Sequence, residues 1–213
     1  MARLSRDFYN GDTVSLAQAL LGLYLVRVRG GEPLVCRITE TEAYVGRCDK
    51  ACHAYGYRRT KRNAVLFGEP GHAYIYFIYG MYYCLNLVTE PAGEPSAVLL
   101  RGLEAVSGRD TICRARFGKT ETELTAGQRK NLLNGPGKIC RGLYLSTEHN
   151  GLDLTGDELY VCTAPADAGV AAPPVFLPAA VHSGPRIGVD YAEEARDFPW
   201  RFWLDEEAKD VSI

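Results

Sequence analysis

Three groups of residues in this chain carry chemistry by type and spacing. The first is Glu40-Thr41-Glu42-Ala43-Tyr44, at the end of an apolar run. On a strand, alternation puts Glu40, Glu42 and Tyr44 on one face, shared with Cys36 and Ile38. A carboxylate that continues an apolar face is partly buried, and burial raises its pKa toward the range of a general base. The competing reading is that such strand-end glutamates turn to solvent. The second group is the aromatic run from Tyr74 to Asn86. Tyr74, Tyr76, Ile78 and Gly80 share one parity, and Phe77, Tyr79 and Met81 share the other. Large rings on both faces fit a two-layer core only if the phenol hydroxyls find partners. They also suit a flat ligand such as a nucleobase, with Tyr79-Gly80-Met81 projecting as a wedge of the kind that parts base steps in DNA.

The third group is basic. Tyr57-Arg58-Arg59-Thr60-Lys61-Arg62-Asn63 holds four bases and no acid, and Gln128-Arg129-Lys130 and Pro136-Gly137-Lys138 lie downstream. Such stretches, with the backbone amides of the second glycine-rich loop, can clamp phosphates. Cys48-x3-Cys52-His53 has zinc-ligand types, yet no fourth ligand stands at comparable spacing, so no metal is expected. A Gly-x-Ser-x-Gly elbow, a His-Glu-x-x-His pair, a Walker loop and a dinucleotide-binding glycine fingerprint are all absent, and no cofactor is expected.

These groups need elements to hold them. The chain has 213 residues, 46% of them hydrophobic, enough for one sizeable core without disulfides or metals as staples. No apolar run is long enough to span a bilayer, and MARLSRDFYNGD lacks the apolar stretch of a secretory signal. A cytoplasmic, nucleoid-associated protein without membrane contact is the expectation, with its seven cysteines as free thiols. The formal charge is −2, but residues 56–141 hold thirteen bases against seven acids, while residues 190–213 are acidic. That distribution permits a basic face and a polyanionic partner.

The pattern predicts a short helix over LAQALL capped by Thr13 or Ser15 and ended by Gly22, then a hairpin through Gly30-Gly31-Glu32-Pro33. Two aromatic strands meeting at Gly80, a strand over SAVLLRGLEAV and a mainly helical stretch over 107–133 follow. NGPGK reads as a tight loop, residues 163–186 as a Pro/Ala-rich connection, and RIGVDY and WRFWLDE as closing strands. Hairpin-length strands without regular βαβ alternation indicate α+β: one domain over residues 1–213, with a curved, mostly antiparallel sheet, flanking helices and a protruding hairpin.

RITETEAYVG followed by His53, then YIYFIYGMYYCLN, AVLLRGLE, NGPGKICRGL and RIGVDYAEEARDFPWRFW together resemble the alkyladenine (3-methyladenine, methylpurine) DNA glycosylase family. The blocks occur in order over nearly the whole chain. The resemblance implies a monofunctional glycosylase of base excision repair that acts as a monomer on double-stranded DNA containing damaged purines. By the same resemblance Glu42 is the general base that activates water at the anomeric carbon, and Arg101 helps position that water. Tyr44, His53 and Tyr76 are the walls for the extruded base, Asn86 crowds the 2-amino group of guanine, and Tyr79 intercalates with Met81 on the same hairpin. Arg58, Arg59, Lys61 and Lys138 are the expected phosphate contacts.

The implied lesions are of the 3-methyladenine, 7-methylguanine, hypoxanthine and ethenoadenine type. No lysine lies in the motif to form a Schiff base, so an abasic site is the expected product. The acidic ending LDEEAKDVSI departs from what DNA binding favours. A second class, a non-catalytic module recognising distorted DNA or RNA, would need Tyr79 and the basic stretches but not Glu42 and Arg101 together.

Overall fold

The computed structural model describes residues 3–170 and 180–205. The acidic terminal residues 206–213 and the centre of the Pro/Ala-rich connection, 171–179, lie outside the described residues. The fold is α+β, a single unit built on one curled antiparallel sheet. Its strands are β1 (Tyr24–Arg29), β2 (Glu32–Val45), β3 (Ala73–Ile78), β4 (Tyr82–Thr89), β5 (Ser96–Ser107), β6 (Leu159–Cys162), β7 (Val181–Gly184) and β8 (Arg201–Leu204). They run in the order β3-β4-β5-β2-β1-β6. The long β2 changes partners along one edge, pairing with β1 over residues 32–37 and with β8 over residues 40–42. The β1–β2 turn is Gly30-Gly31, both with positive φ (57° and 84°), the geometry a two-residue hairpin with right-handed twist requires.

Among the described residues five short α-helices accompany the sheet: α1 (Arg6–Tyr9), α2 (Thr13–Ala19), α3 (Arg109–Phe117), α4 (Ala126–Lys130) and α5 (Pro136–Gly142). The core lies between one sheet face and these helices. Tyr9, Leu16 and Leu20 close it from α1 and α2, and Ile112, Ile139 and Leu143 from α3 and α5. Several sequence expectations shift by local chemistry. Asp12, not Thr13 or Ser15, caps α2 by accepting from the Ser15 amide at 2.8 Å. Pro136 starts a helix, so Gly137 and Lys138 sit in a first helical turn and not in an open loop. RIGVDY is not a strand. Its Arg186 turns inward to Asp49 and Gly188 takes φ +77°, which leaves residues 185–191 as a loop pressed on the sheet. The closing hairpin is instead β7–β8, the former from the expected connection and the latter from WRFWLDE.

The decisive departure concerns which face Glu42 occupies. Between β2 and β5, Ile38 pairs with Leu103, Glu40 with Gly102, Thr41 with Leu100 and Glu42 with Leu99. One extra residue bulges on β2 at Thr39 and another on β5 at Arg101. Each bulge reverses the alternation. Cys36 and Ile38 face the core before it, and Ala43 does so after it. Glu40, Glu42 and Tyr44 do share a face, but it is opposite to that of Cys36 and Ile38. Strict period-two reading cannot foresee this inversion.

Candidate active site

On the sheet face away from the helical core, aromatic residues replace aliphatic ones. Ala73, Ile75, Leu85 and Leu87 go to the core, while Tyr74, Tyr76, Cys84, Asn86 and Val88 look the other way. Tyr44 and Tyr76 pack on a small cluster of Cys52, Ala54, Leu66, Tyr74, Val88 and Ala97. The result is a cleft of about 610 Å³ in which Glu42, Tyr44, His53, Tyr76, Tyr79, Asn86, Arg101 and Lys138 all take part.

Glu42 has no solvent exposure. Its Oε2 accepts from the Tyr44 hydroxyl at 2.8 Å, and its Oε1 accepts from the Ile187 amide at 2.9 Å. The Arg101 Nε lies 3.6 Å from the same Oε1. Burial pushes the Glu42 carboxyl above the ordinary carboxylate range, although Arg101, the Ile187 amide and Tyr44 each act to hold it ionised. Its environment is therefore that of a carboxylate desolvated but donor-supported, the condition for accepting a proton.

Arg101 is the bulged residue of β5 and is thereby aimed at the cleft side. Its Nε sits 3.2 Å from Glu40 Oε1, nearer than to Glu42. Glu40 in turn accepts from Arg201 Nε on β8 at 2.5 Å. Tyr44 is covered by the Arg186 guanidinium, 4.7 Å above its ring. Arg186 forms a fully buried pair with Asp49, donating to both carboxylate oxygens and to the Ala43 and Ala195 carbonyls. That pair pins the loop whose next residue, Ile187, supplies its amide to Glu42.

His53 and Tyr76 touch edge to face, with centroids 4.6 Å apart at 68°. No base fits between those two as they stand; with Tyr74 they form one continuous aromatic wall, and Tyr44 packs on the same cluster. His53 Nδ1 lies 3.0 Å from the Tyr74 hydroxyl, and burial together with Arg62 holds the imidazole below its ordinary pKa, favouring the neutral ring. Asn86, 4% exposed, donates to the Tyr74 carbonyl at 3.0 Å, which fixes its amide at the cleft floor.

Tyr79 and Met81 are at the tip of the β3–β4 hairpin and are 78% and 66% exposed. Tyr79 has φ +53° and Gly80 φ +69°. A left-handed tyrosine costs about 1 kcal/mol or more relative to glycine, so the turn holds this ring outward against its backbone preference. Tyr191, 68% exposed, lines the cleft from the loop after Arg186.

The basic residues divide. Lys138 Nζ lines the cleft and donates to Asn131 and Asn134, joined there by Arg116 and Arg141. Arg116 bonds the Leu132 and Asn131 carbonyls and Arg141 the Ala115 carbonyl; among the described residues none of the three pairs with a carboxylate. Arg58 lines a smaller neighbouring cavity, and Arg59 stacks on Phe67, 5.3 Å from its ring, with exposed Lys61 beside them. These three stand outside the main cleft. Cys52 is buried, its thiol pushed up to about 12, and among the described residues no three His, Cys, Asp or Glu side chains converge as metal ligands.

Ile187, Arg186, Asp49, Arg116, Arg141 and Tyr191 were not legible as site residues. Ile187 acts through its amide, which no side-chain pattern reveals. Arg116 and Arg141 had the one available signal, a place within the basic segment 56–141.

A buried, donor-supported carboxylate thus stands beside an aromatic cleft, with a protruding hairpin and cations that pair with no carboxylate among the described residues at its edge, an arrangement that suits a flat ligand carried on a polyanion. The methylpurine-DNA glycosylase family matches residues 7–208, and the chain belongs to that family. It is 48% identical to a Bacillus cytotoxicus protein over 92% of this chain and 93% of the relative. It is 47% identical to proteins of Bacillus cereus and Bacillus anthracis over 93% of this chain and 94% of each relative. All three carry the name 3-methyladenine DNA glycosylase as a provisional assignment. The chain is accordingly a DNA N-glycosylase, a hydrolase of base excision repair. Among the described residues no helix is long and apolar enough to cross a membrane.

Proposed function

We propose that residues 1–213 act as one monofunctional glycosylase domain that extrudes a damaged purine and hydrolyses its N-glycosidic bond with a Glu42-activated water. The observation that carries this reading is the full burial of Glu42 at an aromatic cleft, with Arg101, Tyr44 and Ile187 around it. As the bond to the purine lengthens, positive charge grows on the sugar. A carboxylate nearby stabilises that charge and accepts the proton of the attacking water. Glu42 Oε1 already faces the Ile187 amide and Arg101, so Oε2, which accepts only from the Tyr44 hydroxyl among the described residues, is the oxygen better placed to take it. Arg101 orients the water beside the ion pair. The product is free base and an abasic site; no lysine amine takes part.

Extrusion breaks stacking in the duplex, and the protein offsets that loss in two places. Tyr79, with Met81, fills the vacated step. The His53–Tyr76 wall and Tyr44 receive the base, favouring cationic 3-methyladenine and 7-methylguanine by cation–π attraction. Hypoxanthine and ethenoadenine, flat and neutral, use the same stacking. Asn86, immobilised by the Tyr74 carbonyl, disfavours a purine bearing a 2-amino group. Lys138 with Arg116 and Arg141, and Arg58, Arg59 and Lys61 beyond the cleft, take the phosphates. The protein works as a monomer on cytoplasmic, nucleoid DNA.

The test is incubation with duplexes carrying one hypoxanthine, one ethenoadenine or 3-methyladenine from methylated DNA, followed by alkali. Strand scission only after alkali, abolished by Glu42→Gln with binding retained, is the expected result. Tight binding without release of any base favours the alternative, a recognition module for distorted nucleic acid.

A further inference from the structure

The second glutamate of the motif, Glu40, has no assigned part. It is joined to Arg201 on β8 at 2.5 Å and to Arg101 on β5 at 3.2 Å, both through its Oε1. Arg101 continues the chain to Glu42 at 3.6 Å. Arg201, Glu40, Arg101 and Glu42 thus form an alternating row of charges across three strands, and only Glu42 is wholly buried. The backbone is built for this row. Gly102 stands opposite Glu40, and a Cβ there would lie 2.8 Å from the Glu40 Cβ, so the glutamate lies over a position that tolerates no side chain. The two bulges bracket the same spot and turn Arg101 and Glu40 to one side.

A fully buried carboxylate attracts a nearby guanidinium more strongly than one in water does, and an untethered Arg101 would close on Glu42. A tight Glu42–Arg101 pair would occupy the carboxylate and lower its basicity. Glu40 competes for the same guanidinium at shorter range and is itself anchored from outside by Arg201. Among the described residues Arg101 makes no hydrogen bond to another protein acceptor, so its remaining donors stay available to the cleft.

We propose that Glu40 is a positioning residue: tethered by Arg201, it draws Arg101 back from Glu42 and so keeps the general base free and the arginine aimed at the attacking water. This rests on the reading of Glu42 as that base. The groups facing Glu42 are Glu40 and Tyr44 on its own strand, Arg101 on β5, Cys84 on β4, and Arg186 and the Ile187 amide on the loop.

The experiment measures single-turnover base release against pH, and affinity, for a hypoxanthine duplex with Glu40→Gln, Arg101→Gln and the double variant. Glu40→Gln should slow release about 10-fold or more with affinity for the duplex unchanged, and the acidic limb of its pH profile should move to lower pH. The loss should shrink to about 2-fold or less when Arg101 is already Gln, because the glutamate acts only through the arginine. Arg201→Gln should reproduce a smaller loss in the same direction, and serves if Glu40→Gln fails to fold. Additive losses in the double variant, or a uniform loss with an unmoved acidic limb, would overturn the proposal. Glu42→Gln run in parallel separates the two readings: if it still releases base, the assignment of the base fails first, whatever Glu40 does.

Discussion

Two ionic groups lie beside this sheet, and they differ in how directly their charges are paired. Asp49 and Arg186 are both without exposure, joined by two hydrogen bonds, and the arginine spends two more on backbone carbonyls. Glu42 is equally buried, but its cation stands 3.6 Å away and leans toward another carboxylate. The first pair is direct and bidentate, with only the Arg186 Nε left without a partner among the described residues, and serves as a rivet between the loop at 186 and the sheet. The second leaves a desolvated carboxylate and an arginine with capacity unspent. Burial alone does not mark a reactive group; burial with incomplete neutralisation is the condition that suits Glu42 to the part proposed for it.

The comparison is sharpest at Glu42. Glu42→Gln should cost about 100-fold to 10,000-fold in single-turnover base release, the range of a lost general base, with lesion binding retained. Asp49→Ala should act on stability instead. An Arg186 left buried without its partner costs about 3–5 kcal/mol, read as a lower midpoint in urea unfolding. If Asp49→Ala instead left stability intact and abolished only base release, the division between rivet and reactive group would fail.

Tyr79→Ala comes next, at about 1–3 kcal/mol of affinity for a lesion duplex, the worth of one aromatic–base stack, measured by fluorescence anisotropy. Glu42 also carries a pH dependence. Because burial raises the Glu42 pKa in the folded state, its ionised form is a burden at neutral pH and its protonated form is favoured by folding. Glu42→Gln should therefore unfold at a higher temperature than the native chain at pH 7, with the gain vanishing as pH falls through the native Glu42 pKa toward its unfolded value. Base release should run the opposite way, rising as pH climbs through that same pKa. The smallest effect is at the edge. Lys138→Gln should reduce the slope of log affinity against log salt by about 1, without altering the order of preferred lesions.

The α+β class and the hairpin at Gly80 could be read in the order of strand-like runs and turn residues. The pairing of Tyr74 and Tyr76 against Phe77 across two faces followed from simple alternation, and their separate partners now account for it: Phe77 meets Tyr83, with centroids 5.1 Å apart, on the side away from the cleft. Alternation failed at Glu42, because bulges at Thr39 and Arg101 carry no reliable residue signature and each reverses a face. It also failed for RIGVDY, whose apolar residues suggested a strand while a buried ion pair with Asp49, far away in sequence, held them in a loop. Arg58, Arg59 and Lys61 were grouped with Lys138 by charge alone, yet only Lys138 reaches the main cleft.

By itself the sequence determined which groups are available: a paired-glutamate strand, a tyrosine hairpin with a glycine at its tip, basic stretches on either side and enough apolar residues for one core. These are properties of residue type and short-range spacing, which period and composition record directly. Only the tertiary structure decided which glutamate would be stripped of water, which arginine would stand beside it and at what distance, and that the Ile187 amide would complete its shell. Those outcomes depend on bulged register and on partners more than a hundred residues apart, as with Glu42 and Ile187. Free energies of burial and pairing are set by neighbours in space, and a linear pattern does not contain them.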